Sequence, residues 1–121
     1  MREFPPTSEL QFLVGREFGQ VCLDPFSIQF RFADGGQITV EHRIEHIQNG
    51  SVHSYDCQSQ DGPPLYLHRL LQQPIISVEA EPLRLTLTFE DGAALRIHSE
   101  IGPYECGQIY PTENRQTSIV F

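Results

Sequence analysis

Sliding this sequence along itself by 57 residues aligns positions 6–42 with 63–99 without a gap. Eight pairs are then identical: Pro6/Pro63, Leu10/Leu67, Leu13/Leu70, Val21/Val78, Pro25/Pro82, Phe32/Phe89, Asp34/Asp91 and Gly35/Gly92. Others exchange one apolar residue for another, such as Val14/Leu71, Phe18/Ile75, Phe26/Leu83, Ile28/Leu85, Phe30/Leu87, Ile38/Leu95 and Val40/Ile97. A pattern repeated at one offset marks one structural unit built twice. It leaves a polar connection at 43–62 and a C-terminal extension at 100–121.

Within each copy the apolar period is two, as expected of strands with one buried face. Ile28, Phe30 and Phe32 alternate with Gln29 and Arg31, and Leu85, Leu87 and Phe89 with Thr86 and Thr88. The alternation resumes after Asp34-Gly35 and Asp91-Gly92, a pair that favours a hairpin because Gly accepts positive φ. Ahead of each hairpin, residues 17–23 (Val21 and Leu23 inward) and 75–80 (Ile76 and Val78 inward) predict a third strand. Asp24-Pro25 and Glu81-Pro82 end these strands, since proline has no N–H for a ladder. Pro63–Leu71 predicts a short helix, with Leu67, Leu70 and Leu71 on one face; the matching Thr7–Leu13 is a weaker helix former.

The expected fold is therefore mainly β. Two tandem three-stranded antiparallel meanders, related by a pseudo-two-fold axis, cover each other's apolar faces as a small sandwich or open barrel. A chain of 121 residues is long enough for one such domain, spanning 1–121, and short for two. The 43–62 stretch reads as a long loop around an Asn49-Gly50-Ser51 turn, and the apolar Ser118–Phe121 end as a docked tail or edge strand.

Eight arginines, no lysine and sixteen acids give a formal net charge of −8. This sign removes the counterion-release term that drives binding to nucleic acid, and favours a basic protein partner. No apolar run reaches membrane-spanning length and the N-terminus does not read as a signal peptide. With three cysteines in no CxxC spacing, this predicts a cytoplasmic protein with reduced thiols, no membrane association and no cofactor.

Candidate chemistry is sparse. His42-Arg43-Ile44-Glu45-His46 fits the H-x-x-E-H pattern of inverted zinc peptidases, making His42 and His46 weak metal-ligand candidates. That pattern requires a helix in a larger catalytic fold, and here it follows a strand. His53, Tyr55, Asp56 and Cys57 contain a nucleophile and a base without a sign that they converge. Glu79 and Glu81 share one strand face and read as solvated. No catalytic residue is assigned, and an enzyme is not the favoured reading.

The doubled Phe-x-Asp-Gly pattern (Phe32–Gly35 and Phe89–Gly92), with its Leu-rich start and Tyr104-Glu105 near the end, resembles small bacterial β-rich domains. Some of these are encoded beside polymorphic toxins and are read as immunity proteins. The resemblance covers roughly residues 10–109 and implies a bacterial origin and a protein partner; it supplies no catalytic residue.

The sequence thus points to a non-enzymatic protein-binding module, of immunity or adaptor type, whose acidic surface docks a basic partner. Glu41, Glu45, Tyr55, Asp56, Glu79, Glu81, Tyr104 and Glu105 are the candidate contact residues. One alternative is a small-molecule binder or enzyme with a pocket between the sheets, lined by Phe30, Phe32, Leu87 and Phe89. Another is an assembly protein that forms a homodimer through its edge strands.

Overall fold

A computed structural model describes residues 3–60, 62, 64–114 and 116–121. Among the described residues ten strands run in chain order: β1 Phe18–Asp24, β2 Ser27–Phe32, β3 Gln37–Val40, β4 Arg43–Gln48, β5 Ser51–Asp56, β6 Ile75–Glu81, β7 Arg84–Phe89, β8 Ala94–His98, β9 Gly107–Tyr110 and β10 Ile119–Val120. They form two antiparallel sheets of order β1-β2-β3-β9-β10 and β5-β4-β8-β7-β6, packed as a sandwich rather than closed into a barrel. The predicted meanders are β1-β2-β3 and β6-β7-β8, and their limits at the first two strands differ by the 57-residue offset.

The repeat extends to individual backbone bonds. Ala33 N–H donates to Glu17 O at 2.9 Å and Glu90 N–H to Pro74 O at 3.0 Å; Phe32 N–H donates to Gly36 O and Phe89 N–H to Ala93 O. Both outer strands carry a bulge at the same place, at Gly19 and at Ile76. The bulge corrects the expected facing of the third strand. One extra residue reverses the alternation, so Ile75 rather than Ile76 is buried, with Ile76 left 53% exposed. Val21 packs against the core as expected, but Leu23, near the end of β1, is 65% exposed.

Both predicted helices are single stretches of 3₁₀ helix, Thr7–Leu13 and Leu67–Leu70, and the first is the longer. Pro63, the expected start of the second, lies outside the described residues, as does Asp61 in the connection. Leu10, Leu13 and Leu70 are fully buried, so each helix pins its half to the core.

The 43–62 connection is not a loop. It contains the β4–β5 hairpin, turned by Asn49 (φ 51°) and Gly50 (φ 80°), both in the left-handed region that two-residue hairpin turns require. This hairpin joins the second half's sheet by pairing β4 with β8, while the β9–β10 hairpin joins the first half's sheet by pairing β9 with β3. Each half therefore gives a hairpin to the other. The result is ten strands rather than six, with Phe18 of one sheet against Phe89 of the other at 5.9 Å between ring centres.

The core is one cluster drawing on both halves: Phe18, Ile28, Phe30, Ile38, Ile44, Ile75, Leu85, Leu87, Phe89, Leu95, Ile97, Ile109 and Phe121 are essentially inaccessible. The space between the meanders is filled by side chains. Phe30, Leu87 and Phe89 are fully buried and Phe32 nearly so.

Candidate functional site at the crossing end

The strand exchange gives the sandwich two unlike ends. At one, the chain crosses between sheets twice, through residues 41–42 and 99–106, and the β1–β2 and β6–β7 turns lie beside these crossings because Ile28 pairs with Val40 and Val40 with Gly107. Glu41 N–H donates to Cys106 O at 2.8 Å, and Cys57 N–H to His42 O at 2.8 Å, tying three segments distant in sequence.

These crossings collect acids. Glu41 and Glu105 are close enough that the Glu41 carboxyl is held above its ordinary range, first by burial and then by the Glu105 charge. Asp56 ends β5 next to Cys57, and His42 Nε2 lies 3.7 Å from Glu100 Oε2. In the same 99–106 crossing Tyr104 is 83% exposed and Ile101 66% exposed. Of the expected contact residues, Glu41, Asp56, Tyr104 and Glu105 are brought together here. Glu100 and Ile101 were missed by sequence reasoning; their only signal was membership of the same short insertion as Tyr104.

The remaining candidates lie elsewhere. Glu45, Glu79 and Glu81 face outward on the second sheet, in rows fixed by its register: Asp56–Arg43–His98–Arg84–Glu81 and Ser54–Glu45–Arg96–Thr86–Glu79. Glu45 Oε1 is engaged by His98 Nε2 at 2.5 Å, and Glu81 by Arg84. Burial holds the His98 imidazole below its ordinary pKa despite that carboxylate. Tyr55 is half-buried and packs against the core.

The metal and nucleophile motifs do not assemble. In H-x-x-E-H, Glu45 faces outward while His46, one residue on, is fully buried on the inner face, so His42, Glu45 and His46 diverge. Among the described residues no three His, Cys, Asp or Glu side chains are grouped to hold a metal ion. Cys57 is inaccessible and its thiol donates to Val40 O; burial, with Asp56 and Glu41 nearby, pushes its pKa up to about 11. A thiol so held is no nucleophile near neutral pH.

No family description, no curated protein and no solved structure matches this chain. Among the described residues no helix is long and apolar enough to cross a membrane.

Proposed function

We propose that the protein is a non-enzymatic binding module whose crossing end docks a basic protein partner. The observation that carries this reading is that one crossing bears two highly exposed side chains, Tyr104 and Ile101, and gathers with its neighbours four carboxylates from three segments: Glu41, Asp56, and Glu100 with Glu105. A tyrosine supplies contact area at little entropic cost, and surrounding acids steer and select a partner bearing Lys or Arg. On the immunity-type reading that partner is a basic toxin domain. The packed space between the meanders gives the alternative interior pocket no support.

The test is capture of partners from the source cell by wild-type protein and by Tyr104→Ala and Glu41→Gln/Glu105→Arg variants. Binding should weaken between about 0.1 M and about 1 M salt, where the screening length falls from about 10 Å to about 3 Å, and should be lost in both variants. A captured protein held equally by all three forms at both salt levels overturns the reading.

One observation favours self-association as a second reading. The β6 edge is closed by Thr7, whose hydroxyl accepts the Ala80 N–H at 2.9 Å. The counterpart of Thr7 is Pro64, which offers β1 no hydroxyl, and Leu23 stands exposed there. Open edges pair with other edges. Sedimentation at micromolar concentration distinguishes a dimer from a monomer, and Leu23→Lys should dissociate the dimer.

A further inference from the structure

The duplication supplies an internal control, since a residue serving only the fold should resemble its counterpart in the other half. One departure from that likeness lies at the end opposite the crossings, where the β4–β5 hairpin meets the second 3₁₀ helix. His46 and His53 face each other across β4 and β5, with ring centres 6.2 Å apart, and Tyr66 meets His53 edge-on at 5.6 Å. In the other hairpin the same cross-strand pair is Ile109 and Ile119. Tyr66 and Arg69 replace Glu9 and Phe12. Two isoleucines hold the equivalent position, so the fold does not need this polar set.

The set borders a cleft of about 210 Å³ lined by Gln48, Asn49, Ser51, His53, Tyr66 and Arg69. Its back wall is oriented. Gln48 Nε2 donates to Asp91 Oδ2 at 3.3 Å, which turns Gln48 Oε1 toward His46 Nε2 at 2.9 Å and makes Nε2 the protonated nitrogen. His46 is wholly buried and its Nδ1 has no partner, a cost that an apolar residue would avoid. At the mouth, Arg69 makes no ion pair among the described residues, in a protein with twice as many acids as arginines.

We infer that this cleft binds a small oxyanion, the carboxylate or phosphate group of a small ligand, between the Arg69 guanidinium and the His53 imidazole, with the Ser51 and Tyr66 hydroxyls as further donors. A planar guanidinium fork fits both groups in two-point fashion. The site is separate from the crossing end and does not depend on the docking proposal.

The experiment titrates the full chain with inorganic phosphate and, in a second arm, with acetate, at ionic strength held constant with sodium chloride. The readouts are the NMR resonances of the Arg69 side-chain N–H and the His53 ring. Saturable shifts are expected in at least one arm, and the arm that saturates tells phosphate from carboxylate. Arg69→Gln should weaken binding at least about ten-fold, as loss of a charged hydrogen bond does. His53→Ile, which copies the other half and should therefore fold, should weaken it as well, while Arg31→Gln should not. Shifts that fail to saturate in both arms, or that survive Arg69→Gln, or that fall equally in Arg31→Gln, overturn the inference.

Discussion

Replacing His46 by isoleucine should stabilise the protein. Leaving Nδ1 buried without a partner costs about 1–3 kcal/mol in the wild type, and the lost bond to Gln48 was worth about 1 kcal/mol. The isoleucine buries additional apolar surface worth about 1 kcal/mol at about 25 cal/mol per Å², in a position where Ile109 already sits in the other half. The net gain is about 2 kcal/mol at neutral pH, a rise of about 8 °C in Tm at roughly 4 °C per kcal/mol for a domain of this size. The gain should grow in acid. Burial, the first cause, holds the folded-state pKa of His46 below its ordinary value, so the unfolded chain binds a proton that the folded chain does not. Wild-type stability therefore falls as pH drops below about 6.5 toward the folded pKa, with a slope of up to about 1.4 kcal/mol per pH unit for one such group. His98 is shifted the same way and leaves a residual slope in the variant. Urea denaturation of both proteins at several pH values between about 7 and about 5 measures gain and slope together. A variant less stable than wild type, or one with the same pH slope, refutes the argument that His46 is a strained, neutral core residue.

Gly36→Ala should cost about 3 kcal/mol in urea denaturation, because φ is 83° and the new Cβ would run into Tyr110 O and the Pro111 backbone. Gly92→Ala, also at positive φ but with open space around it, should cost about 1 kcal/mol. Thr7→Val keeps the shape and removes the acceptor for Ala80 N–H; about 1–2 kcal/mol should be lost, with faster amide exchange confined to the outer edge of β6. In Glu105→Gln the Glu41 pKa should fall toward the ordinary carboxylate value without reaching it, since burial is the larger cause; an unchanged NMR titration of Glu41 would show that the two acids do not share one surface.

The meanders were legible because their determinants are local. Phe30 and Leu87 sit in strict alternation, and Asp34-Gly35 and Asp91-Gly92 sit where the chain must turn. The bulges were hidden, since a bulge shifts alternation by one residue and Gly19 gives no apolar mark against which to count. The β4–β5 hairpin was hidden for a different reason: its core slot holds His46 in place of an aliphatic residue, so the period of two breaks at a residue the structure buries completely. The candidate site was half legible. Glu41, Tyr104 and Glu105 could be named as acids and an aromatic outside the core pattern, but their meeting depends on where each half sends its hairpin, which no local pattern encodes. Glu45 was chosen for its charge, and the contact that occupies it, from His98, arises from pairing across 53 positions of sequence.

The mutual gift of hairpins works as a clasp. Severed in the segment between β5 and the second 3₁₀ helix, neither piece owns a complete sheet: each keeps three strands of one and two of the other. Two such pieces satisfy their edges only by interlocking, which in separate molecules is a bimolecular event that dilution reverses. Covalent continuity replaces that concentration with a fixed local one set by a short tether. The architecture is a swapped pair written into one polypeptide, and its integrity no longer depends on how many copies the cell contains.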